Sequence, residues 1–70
     1  MMVALNNNLT LGQWRGLREM TKTELSHKSG VSMETITKFE NEPETMERAN
    51  YATLKVLAKA LDIKVSNFFE

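Results

Sequence analysis

Seventy residues, 41% of them hydrophobic and 26% charged, are enough for one small folded domain and too apolar for a disordered chain. Nine basic residues balance nine acidic ones, so a polyanion could be met only by locally concentrated positive charge. The absence of cysteine excludes disulfides, thiolate zinc sites and cysteine nucleophiles, the single His27 leaves no metal cluster, and no apolar run reaches the ~20 residues that span a bilayer.

The chain divides itself at capping residues. Met1–Asn8 lacks the basic start and long apolar stretch of a signal peptide, so residues 1–9 read as an N-terminal arm of a cytoplasmic protein. Thr10 and Gln13 form a capping box, with Leu9 and Trp14 as its hydrophobic staple, and predict a helix over 11–19. Leu11, Trp14 and Leu17 recur there at near-helical spacing. Thr21 and Glu24 repeat the box, with Met20 and Leu25 as staple, and predict a second helix over 22–29. Ser32, flanked by Val31 and Ile36, caps a third over 33–41. Glu42-Pro43-Glu44 marks a loop, because proline resists continuation of a helix. Asn50, between Ala49 and Leu54 of its staple, caps a fourth helix over 51–61. Its Leu54, Leu57, Ala58 and Leu61 form one apolar stripe at i, i+3, i+4, i+7. Ser66 is expected to cap a short fifth helix from 67. No window alternates with period two, and the sum is an all-α bundle of four to five short helices, with the domain occupying 10–70.

Helices two and three are separated only by Ser29-Gly30-Val31-Ser32. A glycine that ends one helix in a left-handed conformation, then an apolar residue and a cap, sets two helices at a steep angle in a helix-turn-helix. Leu25, the small Ser26 at the crossing, Val31, Ile36 and Phe39 meet the packing needs of that unit. From Leu11 to Phe68 the pattern resembles the Cro/CI-type (XRE-like) helix-turn-helix family of phage repressors and bacterial transcriptional regulators, whose fold is lambda-repressor-like. Leu11, Trp14 and Arg15 resemble the family's first helix. Met20-Thr21-Lys22-Thr23-Glu24-Leu25-Ser26 resembles its second, Gly30-Val31-Ser32 its turn, and Ile36 with Phe39-Glu40-Asn41 the end of its third. Ala58-Lys59-Ala60-Leu61-Asp62-Ile63 and Ser66-Asn67-Phe68 resemble its closing segment, in which glycine commonly stands at the place of Asp62. The stretch between Glu40 and Asn50 is a few residues longer than the common form.

The resemblance implies a second helix lying across the phosphate backbone and a third in the major groove. Met33, Glu34, Thr37 and Lys38 are then expected to contact bases. Lys38 suits guanine O6/N7 or a phosphate, Glu34 a cytosine amine, and Met33 a thymine methyl. Thr21, Lys22 and Asn41 align with phosphate-contacting positions, and Arg15 and Glu40 with a structural salt bridge between the first and third helices. The sequence departs from the family where glutamines often stand, at Lys22, Met33 and Glu34. It departs again after the third helix, where Glu42, Glu44 and Glu47 replace basic residues. Residues 10–39 carry +2, residues 40–50 carry −3 and residues 51–70 carry +1. DNA binding that is weak or steeply salt-sensitive is the expected consequence.

The leading expectation is a sequence-specific double-stranded DNA-binding regulator, a small repressor of phage or mobile-element type. It acts as a homodimer, since a core of this size is marginal alone and Phe69, next to the core residue Phe68, points elsewhere. The alternative is an antitoxin-like or scaffold protein-interaction module whose partner meets the acidic loop 40–50. An enzyme is not expected, nor is a cofactor, a metal or a membrane partner. His27 reads as a solvated residue and Trp14 as core.

Overall fold

The computed structural model describes residues 9–69. Among them are four α-helices: α1 (Leu11–Leu17), α2 (Lys22–Ser29), α3 (Met33–Asn41) and α4 (Tyr51–Ala60). Two 3-10 helices, Pro43–Arg48 and Val65–Phe68, complete the described residues, which contain no strand. The expected arm lies, apart from Leu9, outside them.

Every α-helix begins at its expected cap. Thr10 Oγ1 accepts from the Gln13 N–H at 3.1 Å while Gln13 Oε1 accepts from the Thr10 N–H at 2.8 Å. Thr21 and Glu24 do the same at 3.1 and 2.8 Å. Ser32 Oγ accepts from the Thr35 N–H at 3.2 Å, and Asn50 Oδ1 from the Ala52 N–H at 2.8 Å. Each cap satisfies a helical N–H that would otherwise have no partner, and is worth about 1 kcal/mol.

The helix ends differ from expectation where the backbone turns left-handed. α1 stops at Leu17 rather than 19 because Glu19 adopts φ 56°. α4 stops at Ala60 rather than 61 because Asp62 adopts φ 59°, which brings the Ile63 N–H back to Ala58 O at 2.9 Å. The two ends are tied together: Arg18 Nε donates to Leu61 O at 2.8 Å. The segment read as a loop around Pro43 is a 3-10 helix, started by the proline and pinned by Met46, which is buried. The last helix also starts earlier than expected. Lys64 is its cap residue, Asn67 Oδ1 accepts from the Lys64 N–H at 2.9 Å, and Ser66 lies inside the helix.

Leu11, Leu25, Ile36, Leu57 and Leu61 are fully buried and form the centre of the core. The α4 stripe is buried throughout, and Phe68 closes the bottom of the bundle. Trp14 packs against this core half-buried. Leu17 does not join it: at 100° per residue it stands about 120° round from Leu11, and it is exposed. α2 packs on both α3 and α4, and α3 is held by α1, α2 and the 3-10 helix Pro43–Arg48.

Candidate nucleic-acid interface

The turn between α2 and α3 is fixed by three hydrogen bonds. Gly30, at φ 78°, donates its N–H to Ser26 O at 2.8 Å. The Ser26 hydroxyl donates to Val31 O at 2.6 Å, and the Val31 N–H donates to Ser29 Oγ at 3.1 Å. Nothing lies within 4 Å of a Cβ built on Gly30, so glycine is required there by its backbone conformation and not by space. Val31 is inserted into the core and sets the angle at which α3 leaves.

α3 presents two opposed faces. Ile36 and Phe39 are buried against the bundle. Glu34, Thr37, Lys38 and Asn41 are spaced i, i+3, i+4, i+7 and project from the side roughly 180° away. Glu34, Lys38 and Asn41 are exposed and Thr37 is half-buried. Four of the residues expected at a DNA surface therefore share one outward stripe.

The remaining expected residues lie beside that stripe rather than in it. Met33 is on the flank of α3, 43% exposed, and its sulfur accepts a weak hydrogen bond from Thr23 Oγ1 at 3.6 Å. Lys22 reaches across from the first turn of α2, and its Nζ donates to Thr37 Oγ1 at 3.3 Å. This bond couples a residue expected at phosphates to one expected at bases. Thr21 caps α2, with its own N–H held by Glu24 Oε1, so the amides left for an anion at this helix start are those of Lys22 and Thr23.

Behind α3, Arg15 forks onto Glu40. Nε donates to Glu40 Oε2 at 2.8 Å, Nη2 to Oε1 at 3.2 Å, and Nη1 to Met20 O at 2.9 Å. The hydrogen bond to Glu40 holds the guanidinium above the ordinary arginine value, against a smaller opposing effect of desolvation. Gly12 admits the carboxylate: a Cβ there would stand 3.3 Å from Glu40 Oε1. The bridge ties the last turn of α3 to α1 and fixes the direction of the outward stripe.

A family model for the Cro/C1-type HTH DNA-binding domain matches residues 10–70. The chain belongs to this family. No curated protein and no solved structure gives a significant match. The Cro/C1-type assignment makes the chain a DNA-binding regulator and double-stranded DNA its partner. No helix among the described residues is long and apolar enough to cross a membrane.

This Cro/C1-type domain carries a feature that sequence reasoning missed. Lys38 and Arg48 line one cleft of about 380 Å³ with Asn50, Thr35, Thr45 and Thr53. Arg48 is overlooked in the sequence because it sits among four glutamates of residues 40–50 and counts only as a fraction of their charge. The 3-10 helix Pro43–Arg48 turns it toward α3. Glu44 and Glu47 line a different groove, with Leu9, Met46, Phe68 and Phe69, which contains no residue of α3. Glu44 and Glu47 thus line a different groove from the segment's one arginine. His27 is exposed, as a solvated residue should be.

Proposed function

We propose that this protein is a sequence-specific transcriptional regulator, a small repressor of phage or mobile-element type, that docks α3 in the major groove as a homodimer. The observation that carries this reading is the outward stripe Glu34–Thr37–Lys38–Asn41, held diametrically opposite the core face of the recognition helix. In it Lys38 donates to guanine O6/N7, Glu34 accepts from a cytosine amine, and Thr37 and Met33 make the remaining base contacts. Lys22, Thr21 and Asn41 hold phosphates on one side of the groove, and Arg48 with Asn50 on the other. Arg15 and Glu40 position the helix. Repression follows from occupation of the operator by α3.

The test is a pair of substitutions. Lys38→Ala should abolish the preference for the operator over unrelated duplex, while Lys22→Ala should weaken all duplexes about equally and lower the salt slope by about one. If neither change alters DNA affinity, α3 is not the reading element.

A second reading is favoured by the exposed carboxylates of Glu42, Glu44 and Glu47: an antitoxin-like or scaffold module that holds a basic protein partner at residues 40–50 and binds DNA weakly. A stable complex with another protein, isolated without DNA and lost on reversing these charges, would favour it over the first.

A further inference from the structure

Thr37, half-buried, stands in the middle of the outward stripe of α3. Lys22 Nζ donates to its Oγ1 at 3.3 Å from the first turn of α2. An ammonium carries three N–H donors and no acceptor, so in this pair the hydroxyl oxygen accepts and its proton is turned away from Nζ. Other hydroxyls of the domain have spent their protons: Ser26 on Val31 O, Ser32 on Thr35 Oγ1, Thr23 on the Met33 sulfur and Thr45 on Glu42 O. No described residue accepts the proton of Thr37. Nζ keeps two N–H donors for a phosphate, and the one ion pair among the described residues, Arg15–Glu40, does not involve it.

We propose that Lys22 makes Thr37 a one-directional reader of the major groove. The threonine donates to an acceptor on the base edge it meets, guanine N7 or O6, adenine N7 or thymine O4, and it rejects cytosine, which offers only the N4 amine there. This rests on the docking of α3 proposed above and adds to it the class of base taken at one position. A free threonine hydroxyl turns about its C–O bond and meets a donor or an acceptor equally well, so alone it carries little sequence information. Beside the ammonium the choice is closed. A cytosine amine would have to approach the remaining lone pair against a positive charge, and it would leave the hydroxyl proton without an acceptor in a half-buried contact. With the ammonium gone, water fills its place and takes the proton, and the oxygen is free to accept from an amine. A glutamine at position 22 would do so directly, because its amide oxygen accepts where Nζ only donates. Lys22 is thus a positioning residue for a base contact as well as a phosphate contact.

The test begins with duplexes selected from a randomised pool by the unsubstituted chain. Thr37→Val keeps the shape of the side chain and removes its hydroxyl, so the base pair whose preference it alters is the one that Thr37 meets. Four duplexes differing only there are then titrated by fluorescence anisotropy. The unsubstituted chain should bind the duplex with cytosine under Thr37 at least about fivefold more weakly than the best of the other three. On top of the weakening common to all duplexes, Lys22→Gln should reduce that discrimination to under about twofold, and Lys22→Arg, which again only donates, should retain it. Lys22→Gln combined with Thr37→Val should lose no more discrimination at this base pair than Thr37→Val alone, because the lysine acts there through the hydroxyl. Cytosine preferred under Thr37, a Lys22→Gln variant that discriminates as the unsubstituted chain does, or a Lys22→Arg variant as permissive as Lys22→Gln overturns the proposal and leaves α3 as the reading helix. A Thr37→Val variant that alters no position while Lys38→Ala alters one has the same meaning. A chain that selects no sequence from the pool removes the reading of DNA by α3 and this proposal together.

Discussion

Replacing Glu40 by alanine removes the fork that holds α3 to α1 and leaves the Arg15 guanidinium with Met20 O as its partner. The two side chains are 22% and 10% exposed, so the abandoned charge is largely shielded from water. Breaking one partner out of a fully buried pair costs about 3–5 kcal/mol, and an exposed pair is worth less than about 1 kcal/mol. This pair lies between those limits, and we expect about 2–3 kcal/mol. A domain of this length is stable by about 4–10 kcal/mol, and each kcal/mol moves its midpoint by about 4–8 °C. Thermal unfolding followed by far-UV circular dichroism should therefore show Tm lowered by roughly 10–20 °C. Glu40→Gln, which keeps the shape and one acceptor, should cost about half as much. The effect should not depend on pH. Because the folded-state value of Arg15 is raised, its contribution is complete below the unfolded-state value and is lost only as pH rises through the folded one. The difference between wild type and Glu40→Ala should thus hold constant from neutrality to about pH 10. A Tm change under about 3 °C, or a coupling with Arg15→Ala below about 0.5 kcal/mol in a double-mutant cycle, would refute this account of the bridge.

Three further outcomes follow from the geometry. Gly30→Ala should destabilise by about 1–2 kcal/mol in urea unfolding, all of it from the left-handed backbone, since the site has room for a methyl group. Asp62→Gly should stabilise by about 0.5–1 kcal/mol in the same assay, because it relieves φ 59° at a position where the family commonly has glycine. Arg48→Ala should reduce the slope of log affinity against log salt by about one without changing which duplex is preferred.

The features read correctly in the sequence are those written locally. Thr10, Thr21, Ser32 and Asn50 announce helix starts because a cap is a bond between residues two or three apart. Gly30 announces the turn because only backbone freedom distinguishes it. Leu54, Leu57, Ala58 and Leu61 show their common face through spacing alone. What escapes is set by distant partners. The 3-10 helix Pro43–Arg48 owes its place to a single buried residue, Met46, and one residue has no period. α1 and α4 end early where Glu19 and Asp62 turn left-handed, and the two ends meet through Arg18 and Leu61, 43 residues apart. Leu17 looks apolar enough for the core, but the helix has rotated it away by the time the chain turns. At the site, the stripe on α3 is legible as i, i+3, i+4, i+7 spacing. The Lys22–Thr37 bond and the cleft shared by Lys38 and Arg48 exist only once α2, α3 and the 3-10 helix are brought together.

The central claim is that α3 reads double-stranded DNA. It is tested most directly by fluorescence anisotropy of a labelled duplex from upstream of the protein's own gene, against a scrambled duplex, at two salt concentrations. We predict tighter binding to the native duplex and a steep loss with salt. With Lys22, Lys38 and Arg48 of two subunits at phosphates or groove edges, the slope should approach about −5. Equal affinity for both duplexes, or no binding to either at low salt, would contradict the claim.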